Sequence, residues 1–331
     1  MLNLLYLPCH QSLEFDELRL FSDIPGVRVM SPGAYWNPGK GCKLRPGLGL
    51  DVPRKWVSRW NNMPVPAGKD HKCHISKKAV EPFDVVVVMH QYKFIDNNLD
   101  VFKGKHVIWR DIGQAPPTDE LRHLKRLKEA GVKIVRYWSG FKARENYQGH
   151  DAIIPFGKYQ EDFHPWNGSL LKVAAIANNF RTRAKGCRKK CWDIATRKVS
   201  RRLYGKGNSG IDGNAGCPPY PQLLEALADH RAYWYGGTDP APYTLGLMEA
   251  MFTGVPIFSV GNPGWESALP GLLKPYQLCK DSEELGNKLE EAINKDIDWL
   301  KPISESQVET ARKTFGADVI RKKWKDFLFS L

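Results

Sequence analysis

Residues 84–89 read Asp-Val-Val-Val-Val-Met. A short, unbroken, β-branched apolar run has no polar face to show to water, so it suits a strand buried on both sides, the central strand of a parallel sheet. Lys105–Arg110 and Val132–Trp138 repeat the pattern. Between them Thr118–Ala130 has helical spacing, with Thr118 placed to cap its start and Gly131 to end it. Upstream, Leu2–Leu7 predicts a first strand, Leu13–Ser22 a helix led by Ser12, and Val27–Met30 a second strand. Residues Pro32–Lys78 show no clean period and are rich in Pro, Gly, Trp and basic residues, a length of irregular chain that is usually functional or mobile.

The alternation restarts after Ile154–Leu170, a stretch holding Pro155, Gly157, Pro165 and Gly168. Lys172–Ala177, Arg202–Tyr204, Arg231–Tyr235, Val255–Val260 and Tyr276–Cys279 are expected strands. Cys187–Val199, Pro221–Ala228, Leu245–Phe252 and Ser282–Asn294 are expected helices. Glu305–Leu331 reads as helical with a break near Phe315-Gly316. Strands alternating with helices predict α/β units with parallel sheets, and 331 residues are enough for two domains. The expected division is 1–158, 159–308 and a C-terminal helix over 309–331 that packs back on the first domain. No run of about 18 apolar residues is present, so no membrane-spanning helix is expected. The N-terminus lacks a basic leader and reads as a strand, not a signal peptide. Seven cysteines, an odd and sparse number, suggest reduced thiols and a cytoplasmic setting.

Lys and Arg total 49 against 36 Asp and Glu, a net charge of +13. That balance speaks to anionic partners: phosphate, nucleic acid or a membrane surface. It is uneven, because Lys172–Lys206 holds twelve basic residues and a single acid, Asp193. A solvated helix face is the ordinary reading of a charge run, but this density also suits phosphate binding.

The most specific stretch is Pro242-Tyr243-Thr244-Leu245-Gly246-Leu247-Met248-Glu249-Ala250-Met251-Phe252-Thr253-Gly254-Val255-Pro256. A loop enters a helix at Thr244, Leu245 and Gly246, whose free N–H groups can bind an anion. Glu249, one turn further on, can accept the hydroxyls of a ribose. The pattern resembles the nucleotide-sugar site of family-4 retaining glycosyltransferases of the GT-B fold, which show Glu-Pro-Phe-Gly, four residues, then Glu-Ala-Met-Ala-Cys-Gly-Val-Pro. Pro242, Glu249, Ala250, Met251, Gly254, Val255 and Pro256 stand in place. Tyr243 replaces the Phe, Thr244 the Gly, and Ala241 the first Glu, which in the family contacts the donor sugar; Asp239 is the nearest substitute. Ile154-Pro155-Phe156-Gly157 with Phe163-His164-Pro165 is similar to the family's hinge. Asn178–Gly186 resembles its Arg…Lys-Gly loop, with Arg181 and Lys185 as the diphosphate grip and Arg183 as a competing candidate. The first half matches only in element order, and Pro8-Cys9-His10-Gln11 stands where the family has a Gly-rich loop.

The resemblance implies two Rossmann-like doubly wound domains facing across a cleft, with a nucleotide-sugar donor in the second, an acceptor on the first and no bound metal. Donor contacts are expected from Arg183, Asp239, Tyr243, Thr244, Leu245 and Glu249, and catalytic roles from Arg181, Lys185 and His90. His90 ends the Val85–Met89 strand, where a structural hydrogen-bonder is as common as a functional histidine. Arg110 and Asp111 end the next expected strand and are candidates for the acceptor side, although a surface ion pair is the plainer reading. His10, with Asp16 and Glu17, follows the first strand; acids favouring a helix start are the commoner explanation there. Arg45, Arg54, Trp56, Arg59 and Trp60 interleave cations with aromatics, a pattern suited to stacking bases and holding phosphates. A loop packing its own tryptophans is the alternative.

His71-Lys72-Cys73-His74 lacks the second pair that a zinc site needs, and Cys187 with Cys191 is not read as a metal site. No Gly-x-Ser-x-Gly elbow or full phosphate-binding Walker loop is present. The resemblance implies glycosyl transfer from a nucleotide sugar with retention of configuration; the expected donor is a UDP-sugar and the expected protein a monomer without a further cofactor. The first-choice acceptor is a 5-hydroxymethylated pyrimidine in double-stranded DNA, as in bacteriophage DNA modification in a host cytoplasm. The alternatives are a glycan or lipid-linked acceptor at a membrane surface, and, in another class, an inactive nucleotide- or nucleic-acid-binding module.

Overall fold

The computed structural model describes residues 1–32, 45–46, 75–113, 117–239, 241–261 and 267–331. Two units divide the chain: Met1–Gly157 with Ala317–Leu331, and Lys158–Gly316.

The first unit is built on β1 (Leu2–Leu7), β2 (Val27–Ser31), β3 (Arg45–Pro46), β4 (Val85–Met89), β5 (His106–Arg110), β6 (Lys133–Arg136) and β7 (Ala152–Ile153). They form a seven-stranded sheet ordered β3-β2-β1-β4-β5-β6-β7, parallel except for the two-residue edge pairing of β3 with β2. The helices are α1 (Gln11–Ser22), α2 (Lys77–Val80), α3 (Tyr92–Asn97), α4 (Pro117–Glu129) and, from the far end of the chain, α11 (Ala317–Leu328). All five residues of β4 are buried, which is why its sequence is apolar without alternation. Leu5, Leu7, Val86, Val88, Trp109 and Ile134 pack with Phe94, Leu124 and Leu127 on one face of the sheet. Tyr6, of opposite parity on β1, meets Phe21 of α1, and Phe21 meets Trp324 of α11, at ring separations of 5.7 and 4.9 Å.

The second unit carries β8 (Leu170–Ile176), β9 (Arg201–Tyr204), β10 (Asn214–Gly216), β11 (His230–Trp234) and β12 (Ile257–Phe258), with α5 (Lys189–Ala195), α6 (Tyr220–Asp229), α7 (Leu245–Thr253), α8 (Leu269–Leu272), α9 (Ser282–Asn294) and α10 (Ile297–Phe315). The sheet is parallel and ordered β10-β9-β8-β11-β12. Segment 166–168 is tied to this unit: Trp166 Nε1 donates to the His230 carbonyl at 2.7 Å, and the Asn167 and Gly168 amides donate to the Ala228 carbonyl.

In both sheets the strand order reverses beside the first strand, between β1 and β4 and between β8 and β11. Loops leaving such neighbouring strands diverge, and the gap at their carboxyl ends is where doubly wound sheets bind ligands.

Several expected boundaries move. Helix α1 starts at Gln11 with His10, not Ser12, before it. The helix expected over Cys187–Val199 is regular only over Lys189–Ala195: Arg188, left-handed at φ 56°, delays its start, and it ends at Thr196, φ -104° and ψ 6°. Tyr276–Cys279 is not a strand; it is a turn over Pro275–Gln277 followed by one bridge, Leu278 to Ser259. Two buried glutamines bond the β12 backbone instead: the Ile257 amide donates to Gln307 Oε1 at 2.9 Å, and Gln277 Nε2 donates to the Ile257 carbonyl at 2.8 Å. The chain returns to the first unit after Gly316, not after residue 308. A side chain at Gly316 would run into the Arg312 carbonyl, so the break lies at this glycine and residues 309–315 stay with the second unit.

Among the described residues no helix is long and apolar enough to cross a membrane. Cys9, Cys187, Cys191, Cys217 and Cys279 are free thiols; burial pushes Cys9 up to about 12, which makes it a poor nucleophile.

Candidate functional site

Beyond β8 the chain enters a loop whose shape is set by asparagines. Asn179 is left-handed, φ 55°, a conformation Asn tolerates better than most residues. Its amide donates to the Lys206 carbonyl at 2.7 Å, while Asn178 Oδ1 accepts from the Lys206 amide at 2.8 Å. Asn208, from the loop after β9, accepts from the Phe180 amide and donates to the Ala177 carbonyl, at 2.9 and 2.7 Å. The loops after β8 and β9 are thus laced together, and they present Arg181, Arg183 and Lys185 as exposed cations. Arg181 donates to the Gly210 carbonyl at 2.9 Å. None of the three is in an ion pair with a described residue.

The loop after β11 joins them. The Asp239 amide donates to the Gly186 carbonyl at 3.1 Å, so Asp239, itself exposed, borders the cationic loop. The Arg188 guanidinium donates to the Gly261 carbonyl beyond β12. Thr238 and Ala241 close a tight turn, Ala241 N–H to the Thr238 carbonyl at 2.7 Å. Thr244 precedes α7 in an extended conformation, and its side chain does not cap the helix. The Leu245 and Gly246 amides have no partner among the described residues, so they are available to an anion. A Cβ on Gly246 would stand 3.1 Å from Tyr233 Oη and 3.4 Å from Ile176 Cβ, which fixes the first turn of α7 against the carboxyl end of β8. Tyr243, which precedes Thr244, is buried, with its ring 5.1 Å from that of Phe315 in α10.

Glu249 is only 5% exposed. Its Oε1 accepts from Tyr220 Oη at 3.0 Å and lies 3.6 Å from Lys158 Nζ, which itself donates to Tyr220 Oη at 3.1 Å. Neither Lys158 nor Tyr220 was singled out by the sequence. The single clue is that a basic residue directly follows Ile-Pro-Phe-Gly.

In the first unit His90 follows β4 with φ 63°. Its amide donates to the Arg110 carbonyl at 2.9 Å and its carbonyl accepts from Trp109 Nε1 at 3.1 Å. The ring is half-buried with Nδ1 unpartnered. Burial holds the imidazole below its ordinary value, with Asp111 opposing the shift, so the ring favours the neutral form. His10, half-buried, stands after β1, and Leu7 of β1 pairs with Val88 of β4; both histidines therefore leave the two strands at which the order reverses.

Arg110 and Asp111 do not face solvent. Both are fully buried. Arg110 pairs with Glu17 at 2.8 Å, donates to the Ile154 and Pro155 carbonyls, and stacks on Phe156 and Trp324. Asp111 pairs with Arg136 at 2.9 Å and accepts from the Gly113 amide at 2.7 Å. Glu17 also accepts from Tyr6 Oη at 2.6 Å. These groups brace the unit, and the acceptor role expected of Arg110 and Asp111 is corrected to a structural one. Arg45 is described only as part of the β3 backbone, while Arg54, Trp56, Arg59 and Trp60, like His71, Cys73 and His74, lie outside the described residues. Among the described residues no three His, Cys, Asp or Glu side chains cluster as metal ligands.

The basic run of Lys172–Lys206 is partly neutralised: Lys189, Arg197, Lys198 and Arg201 pair with Asp193, Glu283, Glu290 and Asp212. Of the other eight, Arg181, Arg183, Lys185 and Arg188 lie in the loop after β8.

No protein-family model matches the chain, and no curated protein matches it by sequence. Solved structures do. Anabaena HepE in complex with UDP and glucose superposes with a TM-score of 0.67 at 13% identity, covering 100% of both chains. Sucrose-phosphate synthase from Thermosynechococcus elongatus gives 0.67 at 12% identity, covering 100% of this chain and 99% of its own. The lipopolysaccharide outer core galactosyltransferase WaaB gives 0.59 at 12%, covering 100% and 99%. Two doubly wound parallel sheets in this order, matched end to end by these structures, give the chain the GT-B fold.

Proposed function

We propose that the protein is a glycosyltransferase that binds a nucleotide-sugar donor at the carboxyl ends of β8, β9 and β11. The observation that carries this reading is the convergence there of three features: the exposed Arg181, Arg183 and Lys185, the uncapped start of α7, and the buried carboxylate of Glu249. The cations and the Leu245 and Gly246 amides hold the diphosphate; Glu249 takes the ribose hydroxyls. In transfer, the bond between the anomeric carbon and the diphosphate oxygen breaks, an acceptor hydroxyl oxygen takes its place, and the hydroxyl proton passes to the departing phosphate. Negative charge grows on the diphosphate as it leaves. Arg181 and Lys185 stabilise that charge, commonly the largest catalytic contribution, in place of a metal and with retention of configuration. UDP is the first donor nucleotide to test, since HepE is described with UDP and with UDP-glucose. His90, neutral and at the strand reversal of the first unit, is proposed for the transferring sugar.

For the acceptor we propose DNA bearing a 5-hydroxymethylated pyrimidine, as in bacteriophage DNA modification. The support is charge: +13 over the chain exceeds what one diphosphate requires. A glycan or lipid-linked acceptor is the second reading, favoured by the fold shared with WaaB. The experiment offers radiolabelled UDP-, GDP- and ADP-sugars with hydroxymethylated DNA, oligosaccharides and lipid-linked glycans as competing acceptors. Label in DNA supports the first reading, and label only in glycan or lipid replaces it with the second. Nucleotide binding without transfer to any acceptor or to water returns the chain to a binding module.

A further inference from the structure

Glu249 is the sole acidic residue of α7, and its two oxygens are treated differently. Tyr220 Oη and Lys158 Nζ both converge on Oε1, at 3.0 and 3.6 Å. Oε2 has no protein partner among the described residues. The three side chains come from three places: Lys158 opens the second unit, Tyr220 begins α6, and Glu249 sits in the middle of α7. Lys158 is 1% exposed and also donates to Tyr220 Oη at 3.1 Å, with its ammonium 5.5 Å from the Tyr220 ring centre.

Burying a carboxylate and an ammonium is costly, and such a pair adds little stability over apolar packing unless its hydrogen bonds are complete. A pair serving structure alone would have both carboxylate oxygens on protein donors, as Glu17 has with Arg110 on Oε1 and Tyr6 on Oε2. At Glu249 the donors share one oxygen. That arrangement fixes the rotation of the carboxylate, compensates its charge and leaves the other oxygen as a directed acceptor.

We infer that Lys158 and Tyr220 are positioning residues for donor recognition, holding Oε1 of Glu249 so that Oε2 accepts from the ribose hydroxyls of a nucleoside diphosphate. The inference rests on the nucleotide-sugar reading of this unit. It makes the ribose contact depend on two residues that do not themselves touch the ribose.

The test is a cycle between protein and ligand. Isothermal titration with UDP, GDP and ADP first finds the nucleotide that the wild-type chain binds. That nucleotide is then compared with its 2′,3′-dideoxy counterpart on wild type, Tyr220→Phe, Lys158→Met and Lys158→Arg. Wild type should prefer the ribose form by about tenfold or more, the scale of a hydrogen bond to a charged group. In Tyr220→Phe and Lys158→Met the preference should fall to about a third of that or less, while the dideoxy form binds within about twofold of wild type. Lys158→Arg should restore part of the preference. Folded variants that weaken both ligands equally, or keep the full preference, overturn the inference. If Lys158→Met does not melt cooperatively, Tyr220→Phe decides, since it removes one oxygen only. A wild-type protein that binds no nucleoside diphosphate, or binds ribose and dideoxy forms alike, overturns the ribose role of Glu249 itself, a different failure.

Discussion

A guanidinium with no exposed surface needs its donors answered inside the protein, and Arg110 finds Glu17 and the Ile154 and Pro155 carbonyls, with Phe156 and Trp324 against its plane. One side chain thereby joins α1, β5, the segment leaving the first unit and α11. Arg110→Ala should destabilise the fold by about 3–5 kcal/mol, because it strands the Glu17 charge in the interior; urea denaturation of the variant measures this, and a loss below about 1 kcal/mol would contradict the role. Glu249 differs in having an oxygen to spare. Glu249→Ala should weaken nucleotide binding by about 1–3 kcal/mol, the value of a charge-assisted hydrogen bond, and calorimetry on the folded variant reads it. Unchanged affinity would remove Glu249 from the site.

Helix α7 shows at the scale of elements what the amino-acid sequence reveals and what it hides. Its start at Leu245 and its stop at the left-handed Gly254 were legible, because caps, glycines and apolar spacing are local signals; the burial of Glu249 beside Lys158 and Tyr220 was not, because those partners are distant in sequence. The strand alternation was legible for the same reason, since a strand buried on both faces must be apolar throughout. Partners distant in the chain were not: nothing near Tyr243 announces Phe315, and nothing near Arg110 announces Glu17. A charged residue at a strand end reads the same whether it meets solvent or a buried counter-ion. The loop after β8 stands between these cases. Its cations were evident in order, but its shape comes from Asn178, Asn179 and Asn208 reaching across to the β9 loop. Because Arg181, Arg183 and Lys185 are exposed and pair with no acid among the described residues, replacing them with Ala should leave the melting temperature nearly unchanged. The same changes should lower kcat/KM for transfer by a large factor, since the charge they oppose grows in the transition state. A melting temperature that falls along with activity would mean that the loop serves the fold instead.

Acidification should act on the whole molecule through its histidines. Burial holds His90 and His230 below the ordinary imidazole value, and His150 is lowered by burial with Lys142 and Arg136 adding to it. The unfolded chain therefore binds more protons than the folded one below about pH 6.5. The stability these groups contribute is complete above that pH and is lost as the pH falls toward the folded values. Urea midpoints should decline from pH 7.5 to pH 5.5, less so in His230→Asn than in wild type once both are referred to pH 7.5; a flat or rising profile would contradict the assignment. Above that range the molecule stays strongly cationic, and Arg181, Arg183 and Lys185 stand exposed after β8. The central claim is that this charge, the start of α7 and Glu249 form one nucleotide-sugar site. Its most direct measurement is calorimetric titration of the full chain with UDP, GDP and ADP sugars, for wild type and for the combined Arg181→Ala, Arg183→Ala and Lys185→Ala protein. The account predicts saturable binding of at least one donor, weakened by added salt and lost in the folded triple variant. Binding that survives the triple change undiminished, or no binding of any nucleotide sugar by wild type, would contradict it.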